Sequence, residues 1–349
     1  MLAVHAWVVQ WAMRMGVAAL LFVSVAMLLA WFSPGCSVPP KMDSPKILSR
    51  ATRLNSLGYE AYLEGEMEEA LGYYREAVEL NAGIDNRAGL AENYNNLGGV
   101  FQARGEHDEA LKWYNMALSI NREIGSNAGE ATNLNNIGSA YEARGDIDAA
   151  LESYERARAI SEEHGDKRAL AVSLNNIGLI HRKKGDLVAA LGYYQRALKI
   201  DEEIDNRRGI AVRLKNMGAV YEVQGNHSGA LNCYERALRV DKEIENLEGT
   251  SDDLNSIGRI YEKLGQLERA LSYYERALDV NEQLGNHRRM AFDLSSIAGV
   301  YLLLQDYPSA KDAFTTSLRL AREAGSSQLV EALERKLEEL SLLMGQRSG

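Results

Sequence analysis

The chain has little cysteine, and its cysteines cannot form a disulfide framework. Cys36 and Cys233 are the only 2 in 349 residues, and no CxxC spacing occurs. Runs of β-branched residues are also scarce after the first 30 residues, whereas Ala, Leu, Glu and Arg are common. These strong helix formers predict an all-α chain.

The sequence also lacks the motifs of nucleotide-binding and hydrolytic enzymes. HExxH, GxxxxGK[ST], GxGxxG and GxSxG are absent, and the 6 histidines are scattered without metal-ligand spacing. The formal net charge is −10, with Lys and Arg interspersed among the acids, which disfavours nucleic-acid binding. We therefore expect no enzyme activity, no cofactor and no bound metal.

An apolar run without charge stands near the start of the chain. It covers residues 16–32 (GVAALLFVSVAMLLAWF), and as a helix it would be roughly 25 Å long, at the short end for crossing a bilayer. Residues 1–35 are interpreted as a signal or anchor segment, and residues 36–47 as a linker. If translation begins at Met13, the order of charged and apolar residues is that of an export signal.

Three interpretations of this segment remain open. Cys36 follows Gly35 and resembles the lipid-acceptor cysteine of bacterial lipoproteins, although Ser33 and Pro34 depart from the usual residues before it. A lipoprotein would carry the rest of the chain outside the cytoplasm. An uncleaved anchor followed by basic residues would leave the rest in the cytoplasm, and a plain cleaved signal is the third interpretation. The common expectation is association with a membrane.

After residue 47 the sequence repeats itself at an offset of 40 residues. Each unit has two glycines, then a small residue, an aromatic residue and another small residue. In the second unit these are Gly98, Gly105, Ala110, Tyr114 and Ala117. Seven units share the pattern, although other residues replace the glycines in the last one.

The repeat predicts pairs of closely packed helices. Small residues let two helices approach, and the aromatic residue is expected to fill the gap that they leave on the neighbouring hairpin. The second glycine ends the first helix because it tolerates the left-handed conformation. In the second unit we place helix A near 88–104 and helix B near 107–124. An amphipathic helix over 326–343 is expected to cap the stack.

This pattern resembles the tetratricopeptide repeat over residues 48–325. The stretch Asn95-Asn96-Leu97-Gly98 is similar to the kinesin light chain and to the Pins-type polarity adaptors, and a unit longer than the usual length of about 34 residues suggests longer helices. The resemblance implies an all-α, right-handed α-solenoid of seven hairpins, with residues 326–349 as a capping helix and tail. It also implies that the A helices line a concave groove that binds a protein or peptide.

Asparagine recurs just before the first glycine, where it weakens a helix. Stacked asparagines could bind the backbone of an extended peptide, as the resemblance implies. Alternatively, one asparagine of each pair bonds to the next repeat and holds the stack. We assign ligand contact to the first residue of each pair and expect the second to be more structural. The first residues are Asn55, Asn95, Asn135, Asn175, Lys215 and Asn255, and the second include Asn96, Asn136, Asn176 and Asn216.

Basic residues on the A helices of the later units suggest a further hypothesis. They could form a subsite for an acidic segment of the partner, or they could belong to an ordinary solvated face. The residues are Lys183, Lys215, Arg259 and Lys263. Arg182 is assigned to the same partner-binding face without this specific role.

Together these features predict a membrane-tethered scaffold that binds an extended peptide or a partner protein in its groove. Two other functions stay open. One is a structural scaffold that self-associates through its capping helix or its N-terminal segment. The other is a receptor for a peptide signal, although such receptors usually carry an additional effector domain.

Overall fold

The computed structural model describes residues 44–347, which contain fifteen α-helices and no strand. The chain divides into two compact units, and the boundary between them in the sequence lies between Gly89 and Leu90. Each unit is described by itself. The first unit contains α1 (Ser44–Glu64) and α2 (Met67–Gly83), and α3 (Arg87–Ala103) begins at its end. The all-α prediction is confirmed.

The second unit continues as a regular series of helix pairs. The odd-numbered helices are the A helices of the repeats, the even-numbered helices are the B helices, and the last helix follows the final repeat. Their bounds are α4 His107–Glu123, α5 Asn127–Arg144, α6 Ile147–Glu163, α7 Lys167–Lys183, α8 Leu187–Glu203, α9 Arg207–Val223, α10 His227–Glu243, α11 Leu247–Lys263, α12 Leu267–Gln283, α13 His287–Leu303, α14 Tyr307–Glu323 and α15 Ser327–Arg347. In the second repeat the expected helices are confirmed to within one residue.

The predicted signal or anchor lies outside the described residues, and so do Met13 and Cys36. Within residues 44–347, no helix combines the length and the apolar composition that crossing a membrane requires.

Left-handed turns separate the helices, as the second glycine of each unit predicted. Gly145, for example, has φ of 94° and ends α5. In the last repeat Gln305 takes this position with φ of 60°. The residue after this turn precedes helix B, and its side chain caps that helix in only some repeats. Asp186 accepts from Ala189 N at 3.0 Å, whereas Asp146 makes no side-chain cap.

The recurrent spacing of glycine and tyrosine brings the two helices of one hairpin together. A Cβ on Gly98 would lie 2.5 Å from a carbon of the Tyr114 ring, and Gly138 has the same relation to Tyr154. The prediction that the aromatic side chain fills a gap on the neighbouring hairpin is confirmed only in part, because Tyr154 does cluster with Ile177 and Ile180 of the next hairpin, but the glycine that it covers lies on its own. The ring packs on the glycine of its own hairpin, because its position on helix B faces helix A of the same repeat.

Within the second unit, neighbouring A helices contact one another directly, since α5 contacts α7, α7 contacts α9 and α9 contacts α11. They form one side of this unit, which we call the A-helix face. At its C-terminal end, α15 packs on α14 and buries Leu333 and Leu340 among the apolar residues of the last repeat.

Candidate protein-binding face

Hydrogen bonds between asparagines join neighbouring A helices. Asn95 Oδ1 accepts from Asn133 Nδ2 at 3.0 Å and from Asn136 Nδ2 at 2.7 Å. One repeat later, Asn135 Nδ2 donates to Ser173 Oγ at 3.0 Å, and further along Asn216 Nδ2 donates to Asn175 Oδ1 at 2.7 Å. We call this series the amide ladder. It runs from α3 to α9 along the A-helix face.

The amide ladder engages both residues of a pair, although we expected the second to be the more structural of the two. The first residue accepts and the second donates, because a 40-residue register brings the second amide of one helix to the first amide of the preceding one. Asn135 and Asn175 are each only 6% exposed. Contact of these amides with a peptide stays a prediction, and the alternative that they hold the stack has direct hydrogen bonds in its support.

The asparagine positions outside this series have other surroundings. Asn255 Nδ2 donates to Asp293 Oδ1 at 2.7 Å, and Lys215 Nζ donates to Asp241 Oδ2 at 2.9 Å. Asn96 and Asn176 are half-buried on the A-helix face, and Asn176 Nδ2 donates to Asn135 Oδ1 at 3.5 Å. Asn55 is half-buried on α1 in the first unit.

Buried polar pairs, which were not predicted from the sequence, connect several of the B helices to the next A helix. Their members are 12 residues apart, as in Asn121 Nδ2 donating to Asn133 Oδ1 at 2.6 Å and Asn281 Nδ2 donating to Asp293 Oδ2 at 2.6 Å. The signal for these pairs in the sequence was a polar residue that recurs at the same position of the repeat among apolar residues. One further pair is ionic, with Arg213 Nε lying 3.1 Å from Asp201 Oδ2.

The corresponding pair on α10 and α11 consists of two aspartates. Asp241 and Asp253 are both 0% exposed, and no donor among the described residues bonds to a carboxylate oxygen of Asp253. Its carboxyl group instead interacts with that of Asp241, a contact that requires a proton on one of them. Burial, helped by the negative charge of Asp241 and opposed by Lys215, raises the pKa of Asp253 to about 8. This junction therefore holds a proton at neutral pH.

Most of the basic residues predicted to bind an acidic partner are neutralised within the protein. Lys183 Nζ lies 2.6 Å from Glu142 Oε1. Arg259 and Lys263 both bind Glu222, at 2.8 and 2.7 Å. Burial would raise the pKa of Glu222, but the hydrogen bonds and charges of the two cations outweigh it and lower the pKa to about 2.

A cavity of about 670 Å³ opens on the A-helix face between α11 and α13. It brings together two predicted site residues, Asn255 and Arg259, with Phe292, which is 49% exposed. Buried Asn281 lines it as well, and its Oδ1 has no partner. The side chain of Arg288, at the same cavity, forms no hydrogen bond or ion pair with any described residue.

A second cavity, of about 520 Å³, brings together Arg182 and Lys263 from the predicted set. Its apolar lining includes Leu187, Ala219 and Val223, the last of which is 69% exposed. Across the described residues, no three histidine, cysteine or acidic side chains lie close enough to bind a metal ion together. The two cavities thus offer apolar surface beside charged groups, a combination suited to holding side chains of another protein.

Comparison with solved structures finds similar helical folds. BtubC (BKLC) from P. vanneervenii has 21% sequence identity and a TM-score of 0.53, with 70% of this chain and 94% of that chain covered. Aspartyl phosphate phosphatase F from Bacillus subtilis has 15% identity and a TM-score of 0.55, covering 87% and 95%. These identities are low, so they show the fold alone.

A third similar structure is a Signal Transduction ATPase with Numerous Domains (STAND) protein with a tetratricopeptide repeat sensor, from Pyrococcus horikoshii. It has 16% identity and a TM-score of 0.59, with 89% of this chain and 51% of that chain covered. No curated protein matches the chain.

Family models identify the repeat itself. A tetratricopeptide repeat model matches residues 48–123, 89–163, 129–203, 169–243 and 253–323, and another tetratricopeptide repeat model matches residues 216–279. These matches cover more than half of the sequence and agree with the helix pairs of the structure. The chain therefore belongs to the tetratricopeptide repeat family.

Proposed function

We propose that this protein is an adaptor that binds an extended segment of a partner protein on the A-helix face of its second unit. The supporting observation is the cavity between α11 and α13. There Phe292 is 49% exposed and Arg288 has no partner among the described residues, while the buried Asn281 oxygen accepts no hydrogen bond. An apolar side chain packed on Phe292 and a donor reaching Asn281 would satisfy these groups.

The amide ladder suggests how to close this cavity without unfolding the protein. Ser296 lines the cavity and occupies the position of the second asparagine in its repeat. In Ser296→Asn, the new amide can donate to Asn255 Oδ1, as Asn136 donates to Asn95. We expect this variant to keep or gain stability and to lose partner capture.

Ser256→Asn is the matched control. It makes the same change one repeat earlier, outside the cavity, where Lys215 stands in place of an amide acceptor. The assay is affinity capture from the native membrane fraction with residues 41–349, comparing both variants with Phe292→Ala. Circular dichroism would verify that each variant is folded. Equal capture by all of them would move the interface away from this cavity and refute the proposal.

We also propose that residues 16–32 tether the protein to a membrane. The support is the uncharged sequence of this segment. Fractionation should place the full chain with membranes and a version starting at residue 41 in the supernatant; equal distribution would refute the tether. Incorporation of labelled fatty acid that is lost in Cys36→Ser would favour a lipoprotein, and protease protection in intact cells would locate the repeats.

Self-association is the second candidate function, supported by one observation at the C-terminus. Leu342 and Leu343 of α15 are 62% and 49% exposed, and adjacent apolar side chains could pack against a second copy. Light scattering of residues 41–349 over a wide concentration range tests this idea. A mass that rises with concentration, and that Leu342→Glu returns to a monomer, would favour self-association over the adaptor.

A further inference from the structure

A second series of hydrogen bonds, which we call the tyrosine ladder, links the two helices of a repeat. The tyrosine that packs on glycine donates its hydroxyl proton to a residue 12 positions earlier on helix A. The acceptors are Gln or Glu, in the pairs Tyr114–Gln102 (2.8 Å), Tyr154–Glu142 (3.0 Å), Tyr234–Glu222 (3.2 Å) and Tyr274–Glu262 (2.8 Å).

The repeat formed by α7 and α8 lacks this acceptor. Tyr194 is in the tyrosine position and is 0% exposed, but Arg182 occupies the acceptor position. Among the described residues, the Tyr194 hydroxyl has no hydrogen-bond partner. The Arg182 side chain likewise forms no hydrogen bond or ion pair within residues 44–344. Two donors therefore occupy the two positions that form a donor–acceptor pair in the other four repeats named above.

Neighbouring carboxylates do not fill this gap, because each already has its own donors. Glu142 accepts from Tyr154 and from Lys183. Glu222 accepts from a tyrosine and from two cations, Arg259 and Lys263. Burial raises the pKa of Tyr194 to about 12, so its hydroxyl keeps the proton that it can donate at neutral pH.

We propose that Arg182 and Tyr194 form a binding site for a carboxylate, presented by an aspartate or glutamate side chain of the partner. Arginine binds carboxylates through two parallel N–H bonds, and the tyrosine hydroxyl adds a third donor. Arg182 lines the cavity of about 520 Å³, whereas Tyr194 is buried, so the partner carboxylate would enter from the cavity at Arg182. The proposal deepens the proposed adaptor function by naming the chemistry of one partner residue, and it places this residue about two repeats from the cavity at Phe292.

The test uses small probes rather than an unidentified partner. N-acetyl-glutamate amide carries one side-chain carboxylate in a peptide-like frame, N-acetyl-glutamine amide lacks that charge, and glutarate is a free dicarboxylate. Binding of each to residues 41–349 would be measured by calorimetry at constant ionic strength. We expect the glutamate probe to bind and the glutamine probe not to bind. Stronger binding of glutarate than of the glutamate probe would assign the site to a free metabolite and overturn the partner assignment.

Variants copied from the neighbouring repeats give the control. Arg182→Glu restores the acceptor that Glu142 and Glu222 supply elsewhere, so this variant should be more stable than the wild type and bind the glutamate probe about ten- to a hundredfold more weakly. Arg182→Gln, which copies Gln102, should behave in the same way. Tyr154→Phe removes a hydroxyl that already has an acceptor and should leave probe binding unchanged.

Equal probe binding by the wild type and Arg182→Glu would overturn the proposal, as would the absence of binding to the folded wild type. Neither result bears on the cavity at Phe292, so the adaptor function would then be judged by the capture experiment alone. Loss of partner capture in Ser296→Asn together with failure of the glutamate probe would retain the adaptor and reject the carboxylate site.

Discussion

The aspartate pair at the junction of α10 and α11 makes a measurable prediction about pH. Asp253 has a pKa of about 8 in the folded chain against 3.8 for an ordinary aspartate. Between these values the folded chain keeps a proton that the unfolded chain has lost, so rising pH must destabilise the folded state. From pH 5 to pH 7 the expected loss for this one group is about 3 kcal/mol.

Asp253→Asn removes the titration and leaves an amide that can donate to Asp241. We expect this variant to be more stable than the wild type at pH 7 and to lose most of the pH dependence between pH 5 and pH 7. The charges that act on this position are Lys215 on α9, Asp241 on α10 and Asp252 on α11 itself. From α12 the neutral Asn281 donates to Ser251, on the same helix as Asp253.

The assay is amide hydrogen exchange of α10 and α11 at several pH values, corrected for the intrinsic exchange rate. Hydrogen exchange is preferable to a single unfolding midpoint because repeat arrays open locally. Asp252→Asn is the control for the loss of one negative charge, since Asp252 is exposed, pairs with Arg289 and is the weakest of the charges acting on Asp253. It should keep most of the wild-type pH dependence. If Asp253→Asn keeps the wild-type pH dependence, the buried aspartate does not hold the proton and the reasoning fails.

Two further substitutions test the packing of the repeats by urea unfolding. Gly138→Ala should destabilise the protein by about 1 to 3 kcal/mol, because its Cβ would lie 2.5 Å from the Tyr154 ring. Gly192→Ala is the control and should be neutral or stabilising, because nothing lies within 4 Å of its Cβ. Equal effects of the two substitutions would contradict the packing argument. Asn95→Ala should cost about 1 to 3 kcal/mol because two amides, including that of Asn136, lose their acceptor, and an unchanged midpoint would show that the amide ladder does not stabilise the stack.

The sequence predicts the helices well because their signals are local and repeated. A glycine that takes φ of 94° at Gly145 can be recognised from its register alone. The partner of Tyr114 could not be assigned in this way, because a gap left by small residues can be filled from either neighbouring hairpin. The choice depends on how helix B is rotated, and sequence spacing does not give that rotation.

The candidate site was less predictable, because a side chain's availability depends on its partners. Lys183, Arg259 and Lys263 appear in the sequence as a basic group, yet in the structure Glu142 and Glu222 neutralise them. Their partners lie 37 to 41 residues away, a separation that brings equivalent faces of adjacent repeats together. The sequence places these residues on one face but does not show which of its charges are already paired within the protein.

The positions where the ladders are interrupted explain why the cavities occur where they do. From α3 to α9 paired asparagines tie each A helix to the next through their amides. On α9, Lys215 takes the first position, and serine replaces the second asparagine at Ser256 and Ser296. The helices α11 and α13 therefore lack the bond from a second-position amide and are joined by Asn255 and Asp293 instead, and the larger cavity opens there. Arg182 interrupts the tyrosine ladder in the same manner and borders the smaller cavity. A repeat protein that binds through its A helices needs surface that its own repeats leave unsatisfied, and in this chain both interruptions supply it.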